Sequence, residues 1–247
     1  MPGKTADLEA EQSYADALAA FRRGDNAACR RISEDALAAA AGAGSERGQA
    51  LGHLNLARAD FRDGAYADSR RHAAAADSHA AAAGAEDLRI TALHMRAEIT
   101  RAEGDYSGAV PLYQQLLAAD EERGDEGSLA MEHYNLGSVL LQAGELDAAR
   151  SHLQRSLELC PAKPEQLRYT LLGYGGWLAR AGDPRTAGQV LGAVEQHFEE
   201  LGEVLDPAEA IELASHLEAG RKRDAETFED GRRAGRSLTL QEAQTAL

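Results

Sequence analysis

The chain has 247 residues and a formal net charge of −15, with 41 acidic against 26 basic side chains. This balance argues against general affinity for nucleic acid, because phosphate binding needs a basic surface, and it equally disfavours anionic membranes. Two cysteines, Cys29 and Cys160, are too few for a disulfide framework, and no stretch approaches the ~20 apolar residues of a membrane span. Since no apolar segment follows Met1, we expect a cytoplasmic protein.

Helical segments alternate with glycine-containing breaks along the chain. Ser45 follows the Gly42–Gly44 break and is a candidate N-cap for the helix that comes next. The expected helix pairs run over about residues 7–41, 46–83, 86–122, 133–161 and 164–201. We therefore expect a frayed start at residues 1–6, five helix pairs within residues 7–202, and capping helices in residues 203–247.

A glycine recurs at a nearly constant spacing. Gly24, Gly64, Gly104, Gly144 and Gly182 are separated by 40, 40, 40 and 38 residues. Seven residues before each lies a small residue, namely Ala17, Ala57, Ala97, Gly137 and Gly175. Five residues after each lies another, namely Cys29, Ser69, Ala109, Ala149 and Ala187. A fixed period of this kind predicts a solenoid, in which each helix pair buries its apolar face by stacking on its neighbours.

The stretch HYNLGSVLLQAGELDAARSHLQRSLELCP, His133 to Pro161, closely resembles a tetratricopeptide repeat. Small residues at Gly137 and Ala149 would let its two helices approach closely, and Pro161 follows the second helix where it can no longer continue. The resemblance implies an all-α fold, a right-handed superhelical solenoid of about five helix hairpins with C-terminal capping helices. It also implies a non-enzymatic scaffold that binds other proteins through a concave groove.

The tail has a second resemblance, to the C-terminal end of large ATP-binding bacterial transcriptional regulators. Those chains often end with a phenylalanine, a Gly-Arg pair, two alternating leucines and an alanine-containing helix ending in Ala-Leu. The matching residues here are Phe228, Gly235, Arg236, Leu238, Leu240, Ala243, Ala246 and Leu247. Such regulators often carry tryptophan four residues after the phenylalanine, where this chain has Arg232. The resemblance implies the repeat arm of a bacterial regulator, without its ATPase motif.

The register of the tetratricopeptide family places inward-facing residues nine, six and two positions before each turn glycine. The polar and charged residues at these positions of the second to fifth repeats, together with the adjacent Arg101, form the predicted partner-binding set. We take this set to be Asn55, Arg58, Arg62, Glu98, Arg101, Asn135, Ser138, Gln142 and Arg180. Spacings of three and four residues place each group along one face of a helix.

The chemistry of this set favours an extended peptide or a partner helix with carboxylates. A side-chain amide offers a donor and an acceptor to a peptide backbone. The resemblance implies this role for Asn55 and Asn135, because peptide-binding members of the family often have an asparagine at the same register position that binds the peptide backbone. The arginines would bind acidic groups through charge-assisted bonds. The alternative is that the arginines pair internally with acids such as Asp60, Glu98 and Glu103.

The function class is left with one open alternative. Gly173 and Gly176 are surplus glycines beside Trp177, and they indicate either tight packing or a weakened helix that admits a small effector, as in a sensor arm. Histidines at equivalent slots lie on different helices without a carboxylate or cysteine cluster, so we expect no metal and no cofactor. No catalytic motif is present, and we expect no enzyme activity. The identity of the partner, the pathway and the oligomeric state stay open.

Overall fold

Each helix hairpin turns at a glycine of the predicted series. The computed structural model describes residues 2–124, 126–160 and 164–247 of the chain, and the side chains of residues 2–6, 126 and 164 are not described. The turn glycines Gly24, Gly64, Gly104, Gly144 and Gly182 have φ between 74° and 104°. A residue with a Cβ is strained in this conformation, so glycine ends the first helix and lets the chain reverse. The predicted turn positions are confirmed.

Residues 1–103 form one compact unit. Its helices are α1 (Pro2–Arg22), α2 (Asn26–Ala43), α3 (Glu46–Arg62), α4 (Tyr66–Ala83) and α5 (Glu86–Ala102). Each helix packs against the next in chain order, and α3 also packs against α1 and α5. α1 begins ahead of the expected start near residue 7, with proline in the first helical turn where its missing N–H costs nothing. Met1, in the segment expected to fray, lies outside the described residues.

Residues 104–247 form a second compact unit. Its helices are α6 (Tyr106–Arg123), α7 (Glu126–Gln142), α8 (Leu146–Leu159), α9 (Leu167–Ala181), α10 (Pro184–Leu201), α11 (Pro207–Gly235) and α12 (Leu240–Gln244). A short 3₁₀ turn, Pro164–Gln166, precedes α9. From α6 to α11 consecutive helices again pack in chain order, α12 packs against α10 and α9, and α9 also contacts α7 and α11.

Capping residues begin α3, α11 and α12, and the predicted cap at Ser45 is confirmed. The Ser45 hydroxyl accepts a hydrogen bond from the Gly48 backbone N–H at 2.9 Å, at the start of α3. Asp206 is the N-cap residue of α11 and Pro207 its first helical residue. Thr239 forms a capping box with Glu242 at the start of α12. The Ser45 and Thr239 side chains offer partners to backbone groups that a helix end leaves unbonded.

The small residues on either side of the turns lie in the helix interfaces. Ala17, Ala57, Ala97, Cys29, Ser69, Ala109, Ala149 and Ala187 are fully buried. At Gly137 a Cβ would lie 2.7 Å from Leu153, and at Gly175 a Cβ would lie 2.8 Å from Leu191. These positions hold two helices at a distance that larger side chains would increase. The prediction of close packing at these positions is confirmed.

The fold class is all-α, as predicted. The described residues contain helices and turns without a strand, and within each unit the helices pack on their neighbours in sequence, as in a tetratricopeptide-like solenoid. Within the same described ranges, no helix has the length and apolar character needed to cross a membrane.

Glycines bring α10 and the end of α11 into backbone contact. Gly188 and Gly192 lie on α10, and Gly231 and Gly235 lie on α11, each pair four residues apart. A Cβ at Gly192 would lie 2.2 Å from the carbonyl oxygen of Arg232, and one at Gly235 would lie 2.0 Å from that of Gln189. Because the opposing atoms are backbone, no rotamer change could make room. This interface was not foreseen from the glycine period.

Two histidine pairs lie in equivalent places of two hairpins. The Nδ1 atoms of His53 and His72 are 2.9 Å apart, and so are those of His133 and His152. A hydrogen bond between two ring nitrogens needs one N–H and one lone pair, so at least one ring of each pair is neutral. Burial, reinforced by the neighbouring histidine, lowers the pKa of His53 and of His133 to about 4. The described residues contain no group of three or more potential ligands that could hold a metal ion.

These pairs predict that acid destabilises the protein. Burial also lowers the pKa of His72 and of His152. Below the ordinary histidine pKa the unfolded chain binds protons that the folded pairs do not bind. The free energy of unfolding is therefore not reduced by these pairs above about pH 7, and it falls as the pH decreases towards 4. We expect the free energy of unfolding to decrease by about 1 kcal/mol per histidine pair between pH 7 and pH 5, a value reduced because the histidine side chains are partly exposed to solvent. Urea unfolding at several pH values measures it.

The matched variant carries His133→Gln and His152→Gln. Glutamine keeps a donor and an acceptor but does not titrate, so the stability of this variant should fall less steeply between pH 7 and pH 5. Arg155 adds positive charge near His133 and stays in place in both proteins. Parallel pH profiles for the two proteins would contradict the assignment.

Candidate partner-binding surface

Asn55 of the predicted set connects two helices of the first unit. Its Nδ2 donates to the carbonyl oxygen of Tyr14 on α1 at 3.0 Å, and its Oδ1 accepts from Arg58 Nη1 at 2.9 Å. Only 1% of Asn55 is exposed. The amide therefore uses both of its hydrogen-bonding functions within the chain. In this conformation it holds α3 against α1.

The arginines that follow Asn55 on α3 lie over aromatic rings of α1. The Arg58 guanidinium carbon is 5.3 Å from the centre of the Tyr14 ring, and that of Arg62 is 3.8 Å from the centre of the Phe21 ring. Both arginines are partly exposed. A guanidinium over a ring face is attracted by the ring quadrupole and is held in one orientation. The result is two positioned cations along one face of α3.

Glu98 and Arg101 form a buried ion pair on α5. Arg101 Nη2 donates to Glu98 Oε2 at 2.8 Å. Glu98 is 7% exposed and Arg101 is 5% exposed. Internal pairing was the alternative for the arginines, and it holds for this one. The other two acids of that alternative bind different arginines, since Asp60 pairs with Arg30 and Glu103 with Arg70.

In the second unit, α11 contacts the predicted face of α7. Asn135 is 1% exposed, and its Nδ2 donates to Glu132 at 3.2 Å. Ser138 is fully buried and donates to the carboxylate of Glu212 on α11. The Tyr134 hydroxyl donates to the same carboxylate at 3.0 Å. The carboxylate of Glu212 on α11 thus accepts hydrogen bonds from two hydroxyl groups of α7.

Arg180 on α9 contacts the same part of α11. Its Nη2 donates to Ser215 Oγ, and its Nη1 donates to His216 Nδ1, both at 2.8 Å. His216 Nε2 lies 3.0 Å from Glu212 Oε1, so a neutral ring with its proton on Nε2 satisfies both contacts. Burial lowers the pKa of His216, which favours that neutral form. Gln142 Oε1 accepts from Ser215 at 3.4 Å and completes the group.

The structure divides eight residues of the predicted set into three groups, while the ninth, Asn135, binds Glu132 on its own helix α7. Asn55, Arg58 and Arg62 contact α1 within the first unit, while Glu98 and Arg101 pair on α5. Ser138, Gln142 and Arg180 meet on one surface against α11. Sequence reasoning missed Tyr134 on α7 and the residues that α11 contributes to this surface, Glu212, Ser215 and His216. A signal was present, because Glu212 and His216 are polar residues one turn apart on the inward face of an amphipathic helix.

The two surplus glycines of α9 are explained by packing. A Cβ at Gly173 would lie 2.6 Å from Leu153, and a Cβ at Gly176 would lie 2.2 Å from the His216 ring. Both residues are buried, and α9 runs as a continuous helix through them. The packing interpretation is confirmed, and these glycines no longer favour a small-effector site.

A cleft of about 540 Å³ lies beside α9, α10 and α12. Its lining includes Glu165 and Glu200 as well as Arg168 and Arg236, so its charges balance. Arg168 donates to Glu203 at 2.7 Å, and Arg236 pairs with Glu199. Because these cations already have internal partners, the cleft does not point to a particular ligand.

Two stretches of the chain match models of the tetratricopeptide repeat family, residues 92–127 and residues 130–163. The second covers α7 and α8, whose inward face carries Asn135 and Ser138. These stretches are similar to tetratricopeptide repeats, a kind of repeat that generally mediates protein–protein interaction and is typically non-enzymatic. No curated protein matches the chain.

Proposed function

We propose that the chain is a non-enzymatic scaffold that binds a peptide or a helix of a partner protein along the first helices of its hairpins. The residues proposed to form the groove remain Asn55, Arg58, Arg62, Glu98, Arg101, Asn135, Ser138, Gln142 and Arg180. The tail resemblance supports a role in bacterial regulation, as a cytoplasmic repeat arm related to ATP-binding regulators.

The observation that carries the proposal is the pair of positioned arginines on α3. Arg58 and Arg62 are partly exposed and lie over Tyr14 and Phe21, so their guanidinium groups lose little further freedom on binding. A planar guanidinium binds a carboxylate through two parallel hydrogen bonds. We infer that the partner offers acidic side chains or a terminal carboxylate here.

The buried members of the set have a different role in this proposal. Asn55 binds the Tyr14 carbonyl group and the Arg58 guanidinium, so it positions the arginine that meets the partner. Its replacement by alanine would remove a buried helix contact and confound folding with binding. A binding test should therefore change the arginine and leave the asparagine.

Arg58→Gln is expected to weaken binding of acidic peptides about tenfold, the effect of one lost charge-assisted contact of ~1.4 kcal/mol. Glutamine can still donate to Asn55 but carries no charge. The measurement is a titration against an immobilised set of acidic and basic peptides.

Arg71→Gln is the matched control, since it removes the same charge from α4 at a side chain that is 72% exposed. It should bind acidic peptides as the unaltered protein does. Equal binding by the Arg58 and Arg71 variants, or a preference for the basic peptides, would refute the proposal.

A further inference from the structure

The first segment of α11, Pro207–Arg223, is held to α7 and α9 mainly by polar side chains. The Glu212 carboxylate accepts from Tyr134 and Ser138, and Arg180 donates to Ser215 and His216. The leucines of the segment, Leu213 and Leu217, are only partly buried, and Ile211 is exposed. The segment contributes no fully buried leucine, isoleucine or phenylalanine, so apolar burial adds less to its attachment than it adds to that of the rest of the tail.

The second segment of α11, Ala225–Gly235, is attached differently. Phe228 is fully buried in the apolar core, and α12 adds buried Leu240 and Ala243. Gly231 and Gly235 place the segment in backbone contact with α10. Arg232 makes two bonds to the Glu195 carboxylate, at 2.6 and 2.7 Å. Apolar burial and close backbone packing anchor this part of the tail.

Non-helical residues flank the first segment on both sides. Residues 203–206 connect α10 to α11 without helical structure. Asp224 interrupts α11 with φ −163° and ψ 98°, and its carboxylate accepts from the Thr227 backbone N–H at 3.1 Å. The second segment therefore begins with an N-cap of its own. It does not need the first segment to remain helical.

From these contacts we infer that the face of α7 and α9 is a docking surface for an amphipathic helix with an acidic contact face. In this structure the first segment of α11 occupies that surface, and a helix of a partner protein replaces it. The inference rests on the proposed function and names the partner at this part of the groove. The partner helix carries a glutamate in the place of Glu212, to accept from Tyr134, Ser138 and the neutral ring of its own His216 equivalent.

The covalent connection gives the first segment an advantage that the partner must overcome. A tethered segment competes at an effective concentration on the order of millimolar. A partner helix with larger or better buried apolar residues at the positions of Leu213 and Leu217 would gain the affinity it needs. Weakening the segment itself should have the same effect.

The test uses the full chain and a synthetic peptide of residues 206–223 as the acidic helix. Glu212→Ala leaves Tyr134, Ser138 and His216 without that carboxylate, and the peptide supplies it. The variant should bind the peptide at least tenfold more tightly than the unaltered protein does. A peptide with Glu212→Gln should lose most of that gain. Equal binding of peptide by the two proteins, or equal binding of the two peptides, would overturn the inference.

Two further measurements test the inference if the Glu212→Ala variant fails to fold. Leu213→Ala with Leu217→Ala weakens the segment while retaining Glu212, and it should also increase peptide binding tenfold or more. In the unaltered protein, amides of residues 207–223 should exchange hydrogen at least tenfold faster than those of residues 225–235. Equal exchange in both segments would mean that α11 opens as one body, and would overturn the inference. The Arg58 titration tests the first unit, so its outcome is separate.

Discussion

Gly235→Ala is expected to destabilise the protein by at least ~3 kcal/mol, because overpacking against backbone cannot be relieved by a rotamer change. The new Cβ would lie 2.0 Å from the carbonyl oxygen of Gln189, with the Gln189 Cα only 2.8 Å away. The second segment of α11 must then move away from α10. That movement strains the ion pairs of Arg232 with Glu195 and of Arg236 with Glu199. Urea unfolding followed by circular dichroism measures the loss.

Gly42→Ala is the control for this change. Gly42 lies near the end of α2, and a Cβ there meets nothing within 4 Å. The substitution should leave stability unchanged or raise it by up to ~1 kcal/mol, since alanine is the better helix former. If Gly235→Ala matched this control, the close contact between α10 and α11 would not exist in solution.

The hairpins were predictable because their determinants are local. The chain reversal requires a residue with positive φ at Gly64 and at Gly144. The close approach of the two helices requires small residues at Ala57 and Ala149, which are fully buried. Both requirements recur with the period, so the pattern is visible without knowledge of any distant contact. The all-α fold follows from the same pattern.

The surface against α11 could not be predicted in the same way. Ser138 and Glu212 are 74 residues apart in the chain, and Glu212 lies beyond the last repeat of the periodic pattern. Periodicity specifies which face of α7 is inward, but not which residue outside the repeat covers that face. The sequence therefore predicts capping helices in the tail, but not that one of them covers the inward face of α7.

Asn55 illustrates a second limit of sequence reasoning. An amide that can bind a peptide backbone can equally bind the backbone of a neighbouring helix, since both offer the same carbonyl group. The register places Asn55 on the inward face in either case. Only the folded structure shows that Tyr14 supplies the carbonyl group, whose oxygen lies 3.0 Å from Asn55 Nδ2. Whether a partner also contacts this residue stays a prediction.

Gly176→Ala is expected to cost about 3 kcal/mol, and the cost should depend on His216. The Cβ would lie 2.2–2.3 Å from three atoms of the imidazole ring. The ring is fully buried and is held by Glu212 and Arg180, so the clash is relieved only if the first segment of α11 moves away from α9. His216→Ala should also destabilise, because it leaves a cavity and removes two buried hydrogen bonds.

The double variant distinguishes a direct contact from two independent defects. With His216→Ala in place, the alanine at position 176 has room, and the pair should cost at least ~1 kcal/mol less than the sum of the single changes. Urea unfolding of all four proteins closes the cycle. Additive costs would show that α9 and the first segment of α11 do not touch here. Because the docking proposal makes the first segment the weaker attachment, Gly176→Ala alone should speed hydrogen exchange in residues 207–223 far more than in residues 225–235.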